Sequence, residues 1–185
     1  MKRLASLCLA LAWGLLPGHV QAVSFEGKKT ISLVDQAGER FPVAQVVFTP
    51  ADSGSRYEII WQDGVFADHF LSMRPFKCLE GTDKHWCRVP YPYEIRRTIS
   101  EQDLTDLEYD LLFVWKGATE YGINLWNGVY YKLENQDGRL VGTLHEMDMD
   151  KLGVPPEAGD LRPVREADLE EGYPESHWLP GLVIE

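Results

Sequence analysis

The densest run of metal-ligating side chains is His145-Glu146-Met147-Asp148-Met149-Asp150. In an extended chain residues two apart share a face. Glu146, Asp148 and Asp150 would then project together and offer carboxylate oxygens to calcium, with Asp160 or Glu157 closing the shell. The run is not an EF-hand loop, because the twelfth position counted from Asp148 is Gly159 rather than Glu. The simpler reading turns Met147 and Met149 inward and leaves the acids in water. It is preferred, so no cofactor is assigned.

His69, His85, His145 and His177 are the histidines downstream of the leader, and no two have the helix-borne spacing of an H-E-x-x-H zinc site. His69 follows Asp68, a pairing that would poise a base or orient a ligand. Trp126, among other strand-borne aromatics, would line a pocket beside it. Ser53, Ser55 and Ser72 are present, but none sits in a G-x-S-x-G elbow, and no catalytic residue is assigned.

Cys78 and Cys87 enclose Leu79 to Trp86, with Gly81-Thr82-Asp83 as a turn between two short extended arms. Two cysteines in an oxidising compartment read as one disulfide stapling a hairpin, since the spacing is neither C-x-x-C nor that of a zinc knuckle. Beyond the hairpin lies Pro90-Tyr91-Pro92-Tyr93, a stiff segment that presents aromatic faces. Arg74, Lys77, Lys84, Arg88, Arg96 and Arg97 concentrate positive charge in the same region. His85, Trp86, Arg88, Tyr91, Tyr93, Arg96 and Arg97 therefore form the candidate recognition patch. Its ligand would be an envelope protein or an anionic glycan.

These residues must be positioned outside the cytoplasm if the first 22 residues are read as a signal peptide. Lys2 and Arg3 precede an apolar run from Leu4 to Leu16, and Val20-Gln21-Ala22 offers a small-residue cleavage site. The run is too short to span a bilayer and is broken by Pro17-Gly18, so no transmembrane anchor is expected after cleavage. Loss of Lys2 and Arg3 leaves 16 basic against 29 acidic residues, a charge of −13. That charge argues against nucleic-acid binding and favours a cationic partner. The expected location is the periplasm or the exterior.

Residues 23–150 read as one antiparallel β domain. Short β-branched and aromatic runs alternate with the turn signals Gln36-Ala37-Gly38, Asp63-Gly64, Asn127-Gly128 and Asp137-Gly138. One short helix is expected over 101–107, followed by a central strand over 109–115. Connections this short exclude parallel crossovers, leaving an all-β meander, barrel-like or a two-sheet sandwich, with a lean toward a barrel or strongly curved sheet. Residues 151–185 carry five prolines and eight acids against three bases, yet enough apolar side chains to lie on the domain as an extended strap. The sequence therefore supports an exported, non-catalytic binding domain. The alternative is a small-molecule carrier or hydrolase-like enzyme with its pocket inside a barrel.

Overall fold

The computed structural model describes residues 25–185; the segment read as a leader, residues 1–22, lies outside the described residues. Twelve strands and one short α-helix follow one another. The first three strands are β1 (Gly27–Val34), β2 (Arg40–Ala51) and β3 (Gly54–Trp61). Next come β4 (Ala67–Leu71), β5 (Arg74–Glu80), β6 (Lys84–Arg88) and β7 (Thr98–Ile99). Helix α1 (Thr105–Asp110) leads into β8 (Phe113–Gly117), β9 (Gly128–Gln136) and β10 (Arg139–Met147). The tail adds β11 (Glu170–Glu171) and β12 (Gly181–Ile184).

All twelve belong to one sheet in the order β4-β5-β6-β8-β9-β10-β12-β1-β2-β3-β7, with β11 beside β10. Every strand pair among the described residues is antiparallel, as hairpin-length connections require. The sheet is open, and no hydrogen-bond ladder among the described residues closes it into a barrel. It is nevertheless curled, because side chains from opposite arms share one core. Trp61 on β3 meets Phe113 on β8 edge to face at 6.0 Å, and the Arg88 guanidinium of β6 stacks 3.7 Å over Trp61. Strands six and seven steps apart along the sheet meet only if the sheet rolls.

The hairpin signals divide according to backbone conformation. Asp137 and Gly138 both adopt positive φ, 53° and 84°, and join β9 to β10 as a two-residue turn. Gln36-Ala37-Gly38 likewise sits between β1 and β2. Asp63-Gly64 is not a hairpin turn. It opens a 3-10 turn, and β4 pairs with β5 rather than with β3. Asn127-Gly128 also fails as a turn: residues 125–127 form a 3-10 turn, and Gly128 begins β9 at φ −66°. The glycine serves close approach instead, since a Cβ there would lie 2.4 Å from the Met147 carbonyl oxygen. A tight turn not foreseen is Ser72-Met73, with φ of 47° and 66° and no glycine, between β4 and β5.

The helix lies later than expected, over Thr105–Asp110 rather than 101–107, so Tyr109 and Asp110 are helical and the following strand begins at Phe113. Burial explains the shift, because Leu107, Tyr109, Leu111 and Leu112 are all enclosed when α1 lies against the sheet. The strand itself is central, with Phe113 and Val114 buried on opposite faces. The tail does more than lie on the surface: its last residues become β12, an interior strand between β10 and β1.

Candidate functional site

Most of the 85–97 segment performs internal work. Trp86 is fully enclosed; its Nε1 donates to the Tyr131 hydroxyl at 3.0 Å, and that hydroxyl donates to the Leu179 carbonyl at 2.7 Å. This chain ties the tail to the core, so Trp86 is not a solvent-facing tip residue. Arg88 spends its charge on the Trp61 face and on Asp63, 3.2 Å away. Tyr91 packs edge to face on Tyr109 at 4.7 Å and donates to the Leu161 carbonyl, while Tyr93 donates to the Leu152 carbonyl. The two tyrosines thus anchor the proline-rich strap. Arg97, at φ 54°, donates to Asp110 at 2.9 Å, and Asp110 also accepts from the Tyr57 hydroxyl.

Arg96 remains exposed, at the rim of a cleft of about 400 Å³ that also holds Thr98, Asp103, Asp106 and Arg162. That cleft is largely self-neutralised. Arg162 bridges Asp103 and Asp106 at 2.6 Å each, and partial burial fails to raise Asp103 because the Arg162 hydrogen bond holds its carboxyl below the usual range.

The calcium set does not assemble. Glu146 Oε1 lies 3.2 Å from His177 Nε2, Asp148 accepts from the Asp150 amide, and Met147 and Met149 are buried as the inward partners. His177 is itself enclosed between Trp86 and Trp115, with Nδ1 unpartnered and Nε2 poorly aligned for a bond to Glu146. Burial, with Lys84 nearby, pushes its pKa down.

Asp68 is exposed and paired with Lys77 at 2.7 Å, not with His69. His69 instead places Nε2 3.0 Å from Glu80 Oε1, and its ring lies 5.2 Å from that of His85. Among the described residues, His69, Glu80 and His85 are the acidic, cysteine or histidine side chains whose ligand atoms lie mutually within 4.8 Å. Their elements explain the meeting. Glu80 and His85 are direct partners across β5 and β6, and Cys78 and Cys87, disulfide-bonded, are partners one same-face position along. His69 is opposite Phe76, so only the twist of the β4–β5 hairpin carries its ring toward Glu80.

A different surface is truly exposed. Phe70 is 67% exposed, Met73 87%, Tyr121 89% and Trp126 71%. Met73 lies in the β4–β5 turn and Tyr121 and Trp126 in the loop before β9, and the two segments are joined where the Ile123 amide donates to Ser72 Oγ at 3.1 Å. Asn124 caps the Trp126 amide, and Asn127 donates to the Trp115 carbonyl. The aromatics are therefore held on a pinned loop. Trp126, expected to line a pocket, and Tyr121, another of the aromatics in that expectation, both lie on the outer surface. Gly122, Asn124 and Asn127 give a loop composition that leaves Tyr121 and Trp126 no core to enter, whereas Phe70 and Met73 carry no such signal.

No family model, no curated protein and no solved structure matches the chain. Its functional reading rests on its own geometry.

Proposed function

We propose that the chain is an exported, non-catalytic β domain that binds a protein partner through the end of the molecule where the β4–β5 turn meets the loop before β9. The observation that carries this reading is the exposure of Phe70, Met73, Tyr121 and Trp126 on segments held by specific hydrogen bonds. Large aromatic and methionine side chains left in water are costly unless a partner covers them, and such residues dominate the energetics of protein interfaces. A pre-ordered loop also binds at a lower entropic cost than a floppy one.

The Cys78–Cys87 disulfide supports export, because it suits an oxidising compartment. The acidic charge favours a cationic partner whose association slows with added salt. Packing of Trp86, Phe113 and Tyr131 through the curled sheet favours surface recognition over a carrier cavity in its interior.

The test is affinity capture from an envelope extract with the wild type and with a Met73→Ser, Trp126→Ser double variant. A stoichiometric protein retained by the wild type and reduced at least about tenfold on the variant is the expected result. Equal retention by both would remove this surface from the reading.

A further inference from the structure

We infer that His69, Glu80 and His85 form a binding site for a divalent transition-metal ion, zinc above all. The three come from adjacent strands β4, β5 and β6 and lie on the outer face, opposite the curled core. Their ligand atoms already fall within 4.8 Å of one another, whereas a tetrahedral zinc with bonds near 2.1 Å separates its ligands by about 3.3 Å. Side-chain rotation of an ångström or so closes that difference, with no movement of strands.

The donor set selects the ion. Two borderline imidazole nitrogens with one carboxylate match the two-histidine, one-glutamate set of open zinc sites, whereas calcium wants six to eight oxygens. Three protein ligands leave a fourth position for water, and Glu80, with a side chain 56% exposed, gives the ion a route in.

Independent support comes from His85. It is about nine-tenths buried, and its Nδ1 has no hydrogen-bond partner, so the protein's own bonding does not use that nitrogen. A buried ring nitrogen left without a partner is unusual in a folded protein. Lys116 lies directly across from His85 on β8. Lys116 is an opposing charge for a dication. Its Nζ is engaged by the Gly117 carbonyl at 2.7 Å.

Zinc bound at His69 Nε2 takes the position between that nitrogen and the Glu80 carboxylate, now 3.0 Å apart, and leaves the ring's hydrogen on Nδ1.

The experiment is zinc chloride titration of the disulfide-intact protein by calorimetry, with cobalt substitution for a visible spectrum. One ion per chain is expected, with a micromolar or tighter Kd, and with cobalt bands of four- or five-coordinate intensity. His69→Gln and Glu80→Gln, both at partly open positions, should each weaken zinc at least about tenfold while keeping the metal-free melting temperature. His85→Asn should do the same if it folds, and the first two variants decide the matter if it does not. No saturable binding at micromolar zinc would overturn the site, as would one-site binding that both open-position variants leave unchanged.

Discussion

Glu80 and His85 face each other across β5 and β6, two residues beyond the Cys78–Cys87 bridge on the same face. The disulfide therefore fixes the register on which their meeting depends, because a one-residue slip would send one of the two to the other face.

The loop it closes is short, and loop entropy assigns the bridge about 2.5 to 3 kcal/mol of stability. Replacing both cysteines with alanine should lower the unfolding free energy in urea by that amount and weaken zinc binding alongside it. Undiminished zinc affinity in a folded, bridge-free protein would separate the two roles.

Glu108 is a buried carboxylate that pins α1 to the sheet, accepting from the Tyr130 hydroxyl and, at 2.7 Å, from the Leu133 amide. Burial raises its pKa. A raised folded-state value means its contribution is full below the unfolded carboxyl range and is lost as pH rises through the folded value. Glu108→Gln keeps the Leu133 contact on its one oxygen, reverses the Tyr130 contact by donating from its amide to that hydroxyl, removes the charge, and should gain on the wild type from pH 4 to pH 7. Glu108→Ala, which strands both donors, should cost about 2 to 3 kcal/mol at pH 7. Denaturant unfolding across that range reads both.

His177 has the opposite sign. Its folded pKa is lowered by burial, so the unfolded chain takes up its proton first, and stability falls as pH drops below about 6.5. His85 shifts in the same direction. Each contributes a slope of at most about 1.4 kcal/mol per pH unit. A His177→Phe variant should flatten the wild-type decline between pH 6.5 and pH 5, measured by melting temperature; an unaltered slope would mean the ring is not the group that titrates.

Arg162 adds a further tie to the proline-rich strap, bridging Asp103 and the buried Asp106, the latter also accepting from the Thr98 amide. Arg162→Ala leaves Asp106 short of its cation and should cost about 2 to 3 kcal/mol, discounted for the partial exposure of the arginine. Limited proteolysis should then cut within residues 153–171 sooner than it does in the wild type.

Much of this architecture was legible because period-two alternation and the cysteine pair report local geometry. The all-β class, the stapled hairpin, the central strand containing Phe113 and the Asp137-Gly138 turn all follow from neighbours in sequence. What was not legible depends on distant packing. Asp63-Gly64 carries a hairpin dipeptide, yet β4 turns away to join β5, and Asp63 pairs with Arg88 instead. Burial of Leu111 and Leu112 under the sheet moved the helix past its capping signal at Ser100. The Cys78–Cys87 pairing already implied that Glu80 faces His85, but the approach of His69 depends on twist across a turn with no glycine to announce it. Tyr91 and Tyr93 looked like a display because nothing local reveals the strap that covers them.

The recognition surface is tested most directly by a photo-reactive amino acid placed at Met73 or Tyr121, with Glu134 on the exposed end of β9 as the control position, followed by irradiation in intact cells. The account predicts one discrete protein adduct from Met73 and from Tyr121, absent from Glu134 and lost when Trp126→Ser is added. Adducts that are equal at all three positions, or absent from all three, would contradict it.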